Sequence, residues 1–205
     1  TVAALVANND FGKAYDAGFK AWVAQSPLKD KVEYFAETME PTAPTITDAM
    51  TTLASKDPEV FIAMTFAAYC TQSIVEAANN GLKESATYVF QPSVCKGNSY
   101  AGKDKVGGDG SASTGWWVVG GGLKAADSPA LDNDPWVKAA REELLAAGVD
   151  WKAEPLSLTG SRFAWTMEQV FSIAAELDGG VNRANFIVAL RSLDMTAPFL
   201  LDGAK

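Results

Sequence analysis

Four apolar runs constrain this chain more than any other feature. Val2–Ala7, Val60–Met64, residues 88–90 and Trp116–Val119 are each continuous, without alternation of apolar and polar residues. Strands written this way are buried on both faces, as in a parallel sheet. Between the runs the apolar period changes. Phe11, Tyr15, Gly18, Phe19 and Trp22 recur at helical spacing. So do Ile46, Ala49, Met50, Leu53 and Ala54, and then Cys70, Ile74, Ala77 and Ala78. A weaker segment, 31–36, reads as a further strand. Strand and helix alternate in units of about 30 residues. The expected class is therefore α/β, a parallel sheet with helices on both faces. Punctuation agrees: Asn9 or Asp10 can cap the first helix, Pro27 ends it, and Asn80-Gly81 closes the third.

The pattern then breaks. Residues 96–115 are rich in Gly, Ser and Lys and read as a long surface loop with one helical turn. Beyond Gly120 no strand is expected. A helix over 136–147 follows Asp134-Pro135, an N-cap with proline at the first helical position. Phe163, Met167, Val170, Phe171, Ala174 and Leu177 stripe a second helix. Asn182 caps a third that carries Phe186, Ile187, Leu190 and Leu193. The expected organisation is an α/β region over 1–119 and a mostly helical region over 120–205.

Composition narrows the function. The net charge of −8 and the scattered lysines argue against a nucleic-acid surface. Histidine is absent, which removes Ser-His-Asp and Cys-His catalysis and the commonest zinc ligand. Two cysteines cannot make a zinc site alone. No catalytic residues, metal or cofactor are expected. Gly120-Gly121-Gly122-Leu123-Lys124-Ala125 fits the dinucleotide fingerprint G-x-G-x-x-A. That motif needs a helix starting there to meet a pyrophosphate. Ala126-Asp127-Ser128-Pro129 interrupts instead, so the segment reads as a flexible crossing. No apolar run approaches the roughly 20 residues of a membrane helix. Thr1 reads as the first residue of a mature or shortened chain.

Ligands of open parallel sheets sit beyond the carboxyl ends of the strands. The segments arriving there carry Asn9, Asp10, Phe11, Thr65, Phe66, Tyr69, Gln91 and Ser93. Amides, hydroxyls and an aromatic wall suit a small polar solute. Each residue also has a plainer use: capping for Asn9 and Asp10, packing for Phe66 and Tyr69. Cys70 and Cys95 follow neighbouring strands, within reach of a bridge. They are either a disulfide, which implies an extracytoplasmic compartment, or two free thiols.

Several stretches resemble a known family. "VAALVANNDFGKAYDAGFKAWVAQ" has its N-D-F-G turn opening a helix. "PEVFIA" follows a Lys-Asp-Pro turn, "EAANNGLKES" leads to the next strand, and "FAWTMEQVFSIAAELDGGVNRANFIVALRSLD" pairs an aromatic-led helix with a capped one. In this order they resemble the second lobe of type I periplasmic solute-binding proteins, of the leucine/isoleucine/valine-binding family of ABC importers. The resemblance implies that residues 1–119 are that lobe. Residues from Gly120 would return into a first lobe whose opening half lies outside this sequence. It implies a solute held between two lobes without chemistry, a membrane permease as partner, and a periplasmic or cell-surface lipoprotein location. It places ligand contacts at Asp10 and Phe11, at Thr65 and Phe66, and at Gln91 and Ser93. Amino-acid binders of the family often place an acid in the last of these loops. "FQPSVCK" has none, so a carboxylic acid or an amide stands beside an amino acid as the expected solute. A sensory receptor on the same fold is the second reading, and a Rossmann-like NAD-dependent oxidoreductase the third. The apolar helices after residue 120 would lack the sheet they cover, so self-association of this chain is expected.

Overall fold

The computed structural model describes residues 1–153 and 157–204. They form two compact units, Thr1–Gly121 and Gly122–Lys205.

The first unit is built on five parallel strands in the order β2-β1-β3-β4-β5. The strands are β1 (Val2–Ala7), β2 (Tyr34–Met39), β3 (Val60–Met64), β4 (Tyr88–Pro92) and β5 (Trp116–Val119). Helix α1 (Asp10–Gln25) joins β1 to β2, and α2 (Thr47–Ala54) joins β2 to β3. Helices α3 (Ala68–Asn79) and α4 (Leu82–Ser85) lead to β4. The loop before β5 holds two single turns, α5 (Asn98–Ala101) and α6 (Lys103–Val106).

Strand β2 starts later than the expected 31–36. Residues 28–32 are instead wound into turns, with Lys31 N–H on the Leu28 carbonyl at 2.8 Å and Val32 N–H on the same oxygen at 3.1 Å. Pairing with β1 then begins with Val2 opposite Tyr34.

Alternation along the strands sorts the side chains onto two faces. On one, Ala3, Leu5, Phe61, Ala63 and Val89 pack against Met50 and Leu53 of α2 and Tyr69 and Ala77 of α3. On the other, Ala4, Val6 and Met64 meet Phe19 of α1. Phe61 is fully enclosed, and burying a side chain of that kind contributes roughly 1.5–3 kcal/mol.

Helix α1 leaves β1 through a tight corner. The Asn9 side chain accepts from Gly12 N–H at 3.1 Å, which caps the helix. A Cβ on Gly12 would collide with the Ala7 carbonyl, so glycine lets the helix start pressed against the strand. Further along, the Tyr34 hydroxyl donates to Asp16 at 2.6 Å, and Lys20 pairs with the same carboxylate at 2.7 Å. Burial, and then the neighbouring Asp16 carboxylate, push the Tyr34 phenol well above its ordinary range.

The second unit carries α7 (Pro135–Ala146), α8 (Leu158–Glu176) and α9 (Arg183–Ser192). Asp134 accepts from Val137 N–H at 2.9 Å as the N-cap of α7 and pairs with Lys124 at 2.7 Å. The unit's two chain ends meet at an antiparallel bridge, Leu123 opposite Leu200, with Lys124 N–H on the Phe199 carbonyl at 2.8 Å. Besides Val137, its buried apolar residues form two small groups: Ala126, Ala140 and Leu158, then Val170, Ala174 and Ala189. Helix α8 begins one turn before the expected aromatic stripe, at Leu158. No helix starts behind Gly120-Gly121-Gly122: Leu123 enters the bridge, so these glycines do not form a phosphate-binding turn.

Candidate functional site

Five parallel strands bring five carboxyl ends to one edge of the first unit. The loops there come from β1, β2, β3, β4 and β5. An aromatic row crosses this edge. Tyr15 and Phe11 lie 4.9 Å apart between ring centroids, Phe11 and Phe66 5.8 Å, and Phe66 and Tyr69 6.1 Å. These are the spacings of interacting rings. The row joins α1 to the turn after β3, two segments far apart in sequence.

The eight candidate residues divide by exposure. Asp10 is exposed at the start of α1, and Phe11, Phe66 and Ser93 are half-buried. Asn9 is spent on the α1 cap. Thr65, Tyr69 and Gln91 are buried inside the unit. The Tyr69 hydroxyl donates to the Ala43 carbonyl at 2.8 Å, in the loop after β2. The Gln91 amide donates to the Cys70 carbonyl at 2.7 Å. The Thr65 hydroxyl is buried without a protein partner. The exposed part of this edge is thus narrower than the sequence set: Asp10, Phe11, Phe66 and Ser93 reach it, with half-buried Asn9 and the exposed residues Ala67 and Ala68 beside them.

Cys70 and Cys95 are bonded, with Cα atoms 5.3 Å apart and 25 residues between them in sequence. Closing a loop of that length stabilises by about 3–4 kcal/mol in the chain-entropy account. Sequence reasoning placed the cysteines correctly because their strands are neighbours. It did not find Ala67, a non-glycine residue at φ 51° that turns the chain from β3 into α3. Nothing in the letters Phe66-Ala67-Ala68 signals a positive φ. Among the described residues no cluster of His, Cys, Asp or Glu could hold a metal.

A groove of about 610 Å³ adjoins this row beside α1, walled by Gly18 and Phe19, floored by Ile62 and Phe90, and bounded by Tyr15, Gln91 and Val119. It runs over the sheet face that α1 covers only in part. Its walls are hydrocarbon, which suits packing of a further element better than recognition of a polar solute.

No family model matches the chain, and no curated protein does. Solved structures do match. One is described as an ABC transporter permease from the Pseudomonas fluorescens group. It is 14% identical with a TM-score of 0.64, over 94% of this chain and 44% of its own. An amino acid ABC transporter substrate-binding protein from Pseudomonas fluorescens Pf-5 is 16% identical with a TM-score of 0.60, over 92% of this chain and 44% of its own. A substrate-binding periplasmic protein from Ralstonia solanacearum is 15% identical with a TM-score of 0.59, over 98% of this chain and 53% of its own.

The fold is shared with these substrate-binding proteins. This chain spans about half the length of the structures it matches. In open parallel sheets the carboxyl ends of the strands are where ligands bind, and the edge of loops described above lies at those ends. Among the described residues no helix is long and apolar enough to cross a membrane.

Proposed function

We propose that the first unit is a solute-binding lobe of a type I periplasmic solute-binding protein, of the leucine/isoleucine/valine-binding kind. The second unit is then part of the opposing lobe. On this reading the protein is the extracytoplasmic component of an ABC importer. It delivers its solute to a membrane permease and performs no chemistry. The aromatic row from Tyr15 through Phe11 and Phe66 to Tyr69 carries the proposal, because it lies at the edge where ligands of such sheets bind. Phe11 and Phe66 supply an apolar wall. Asp10, Ser93 and the backbone at Ala67 supply polar groups beside it. Asn9, Thr65, Tyr69 and Gln91 shape this surface from behind. Two of the matched structures are described as substrate-binding proteins of transporters, and the buried disulfide suits an oxidising compartment.

The solute is a small amino acid, carboxylic acid or amide. The turn Gln91-Pro92-Ser93-Val94-Cys95 carries no acid to meet an ammonium group, which favours the carboxylic acids and amides. A thermal-shift screen of the purified protein against these three classes tests the proposal. A compound present at about 100 times its dissociation constant adds about 2.7 kcal/mol, an unmistakable rise in melting temperature. Replacing Phe66 with Ala should abolish that rise while costing less stability than removing a core residue. No shift with any compound, together with binding of a nicotinamide dinucleotide, would overturn the reading in favour of an oxidoreductase.

A further inference from the structure

Cys70 is held from two sides by the same strand and its following turn. Gln91 of β4 donates its amide to the Cys70 carbonyl at 2.7 Å, and Cys95 just beyond β4 bonds the Cys70 sulfur. Both ties are buried: Cys70 is 0% exposed, Cys95 1% and Gln91 2%. The position of Gln91 is otherwise apolar. It lies on β4 two residues after Val89, on the face packed by Phe61 and Ala63. An amide there costs free energy unless it is bonded, so its use is the bond it makes. A third tie joins the same turn of helix: Tyr69, next to Cys70, donates to the Ala43 carbonyl at 2.8 Å. The end of β4, the turn after it and the loop after β2 are therefore anchored to the first turn of α3. That turn begins at Ala67, whose φ of 51° is strained for a residue with a Cβ and persists where the surroundings over-determine it.

We infer that Gln91 and the Cys70–Cys95 disulfide are positioning groups that fix the first turn of α3 against the turn after β4. They set the solute-facing edge, Phe66 to Ala68 on one side and Ser93 on the other, before a solute arrives. That this edge faces a solute rests on the proposed function. The fixing itself does not.

Amide hydrogen exchange of the full chain, without any solute, tests it. Four forms are compared: wild type, Gln91→Leu, Gln91→Glu, and Cys70→Ser with Cys95→Ser. Exchange at residues 66–71 and 93–97 should rise about tenfold or more in Gln91→Leu and in the serine pair, while amides of β1 and β3 stay within about twofold, because the opening is local. Gln91→Glu separates positioning from packing. Its protonated carboxyl can donate to the Cys70 carbonyl and its carboxylate cannot. After correction for intrinsic rates, the excess exchange of this variant at residues 66–71 should grow as pH rises, and near its low-pH limit approach wild type. Acceleration spread evenly over β1, β3 and the loops would overturn the inference, since the groups would then only stabilise the whole unit. So would unchanged exchange at residues 66–71, or a pH-independent Gln91→Glu. A failed solute screen with this local pattern intact would remove the proposed function and leave the positioning role standing.

Discussion

The two units bury the same kinds of residue to different depths. In the first, the enclosed side chains are large: Phe61, Leu5, Met50 and Leu53 have essentially no exposure. In the second, the enclosed residues are mostly small, and the large ones lie outside. Phe163 is 69% exposed and Phe171 48%, with Ile187 and Leu190 also at the surface. The difference is geometric. A sheet offers two faces, and helices α2 and α3 close one of them over the apolar strands. The seam of α8 and α9 uses one stripe of each helix, around Val170, Ala174 and Ala189. A helix as apolar as α8 has more stripe than one seam can hide.

Truncating one phenylalanine in each unit breaks or sharpens the contrast most. Phe61→Ala should cost about 3–5 kcal/mol, the transfer free energy plus a cavity. Phe163→Ala should cost no more than about 0.5 kcal/mol, as for surface positions generally. Urea denaturation of both variants, at a concentration low enough to keep the chain monomeric, measures this. A large loss for Phe163→Ala there would mean that the outer stripe of α8 is covered within the single chain.

A smaller effect concerns association. Exposed apolar side chains clustered on α8 and α9 form the sort of patch that mediates contacts between molecules. Sedimentation at micromolar concentration should show the chain above its monomer mass. Phe163→Ser combined with Ile187→Ser should shift it toward monomer, with little loss of secondary structure. A clean monomer in the parent chain would show that this patch is tolerated in water.

Much of the first unit was legible because its signals are local and redundant. The run Val2–Ala7, the cap at Asn9 and Gly12 at the corner each fix one step of strand, turn and helix. Strand β2 was misplaced because 31–36 carries charge without a clear period, and turn hydrogen bonds at Leu28 decided where pairing began. The site was legible as a set of loops and not as a set of roles. Polarity marked Tyr69 and Gln91 as candidates. Only the packing shows them facing inward, bonded to Ala43 and Cys70 across long sequence separations. In the second unit, capping was readable at Asp134 and Asn182, both of which cap as expected. The exposed stripe of α8 was readable as apolar, and no sequence rule says which of two stripes a seam will take.

The smallest effect tests whether the second unit, thin in core, leans on its polar anchor. Asp134 caps α7 and pairs with Lys124. The Lys124 ammonium, first, and the backbone N–H of Val137 hold its carboxyl below the usual carboxylate range. A group whose folded pKa is depressed stabilises at pH above its unfolded value and loses that contribution as pH falls through the folded one. The anchor should therefore act fully at about pH 7 and weaken as pH drops below about 3.9, the ordinary aspartate value. Asp134→Ala should cost about 1–2 kcal/mol at neutral pH, the range for a lost N-cap. Asp134→Asn can still accept from Val137 but has no charge to lose. The stability gap between wild type and Asp134→Asn, read from urea midpoints, should shrink on acidification and vanish once the aspartate is protonated. A gap that stays constant with pH would show that Lys124 contributes nothing through its charge, and that α7 is held by the cap alone.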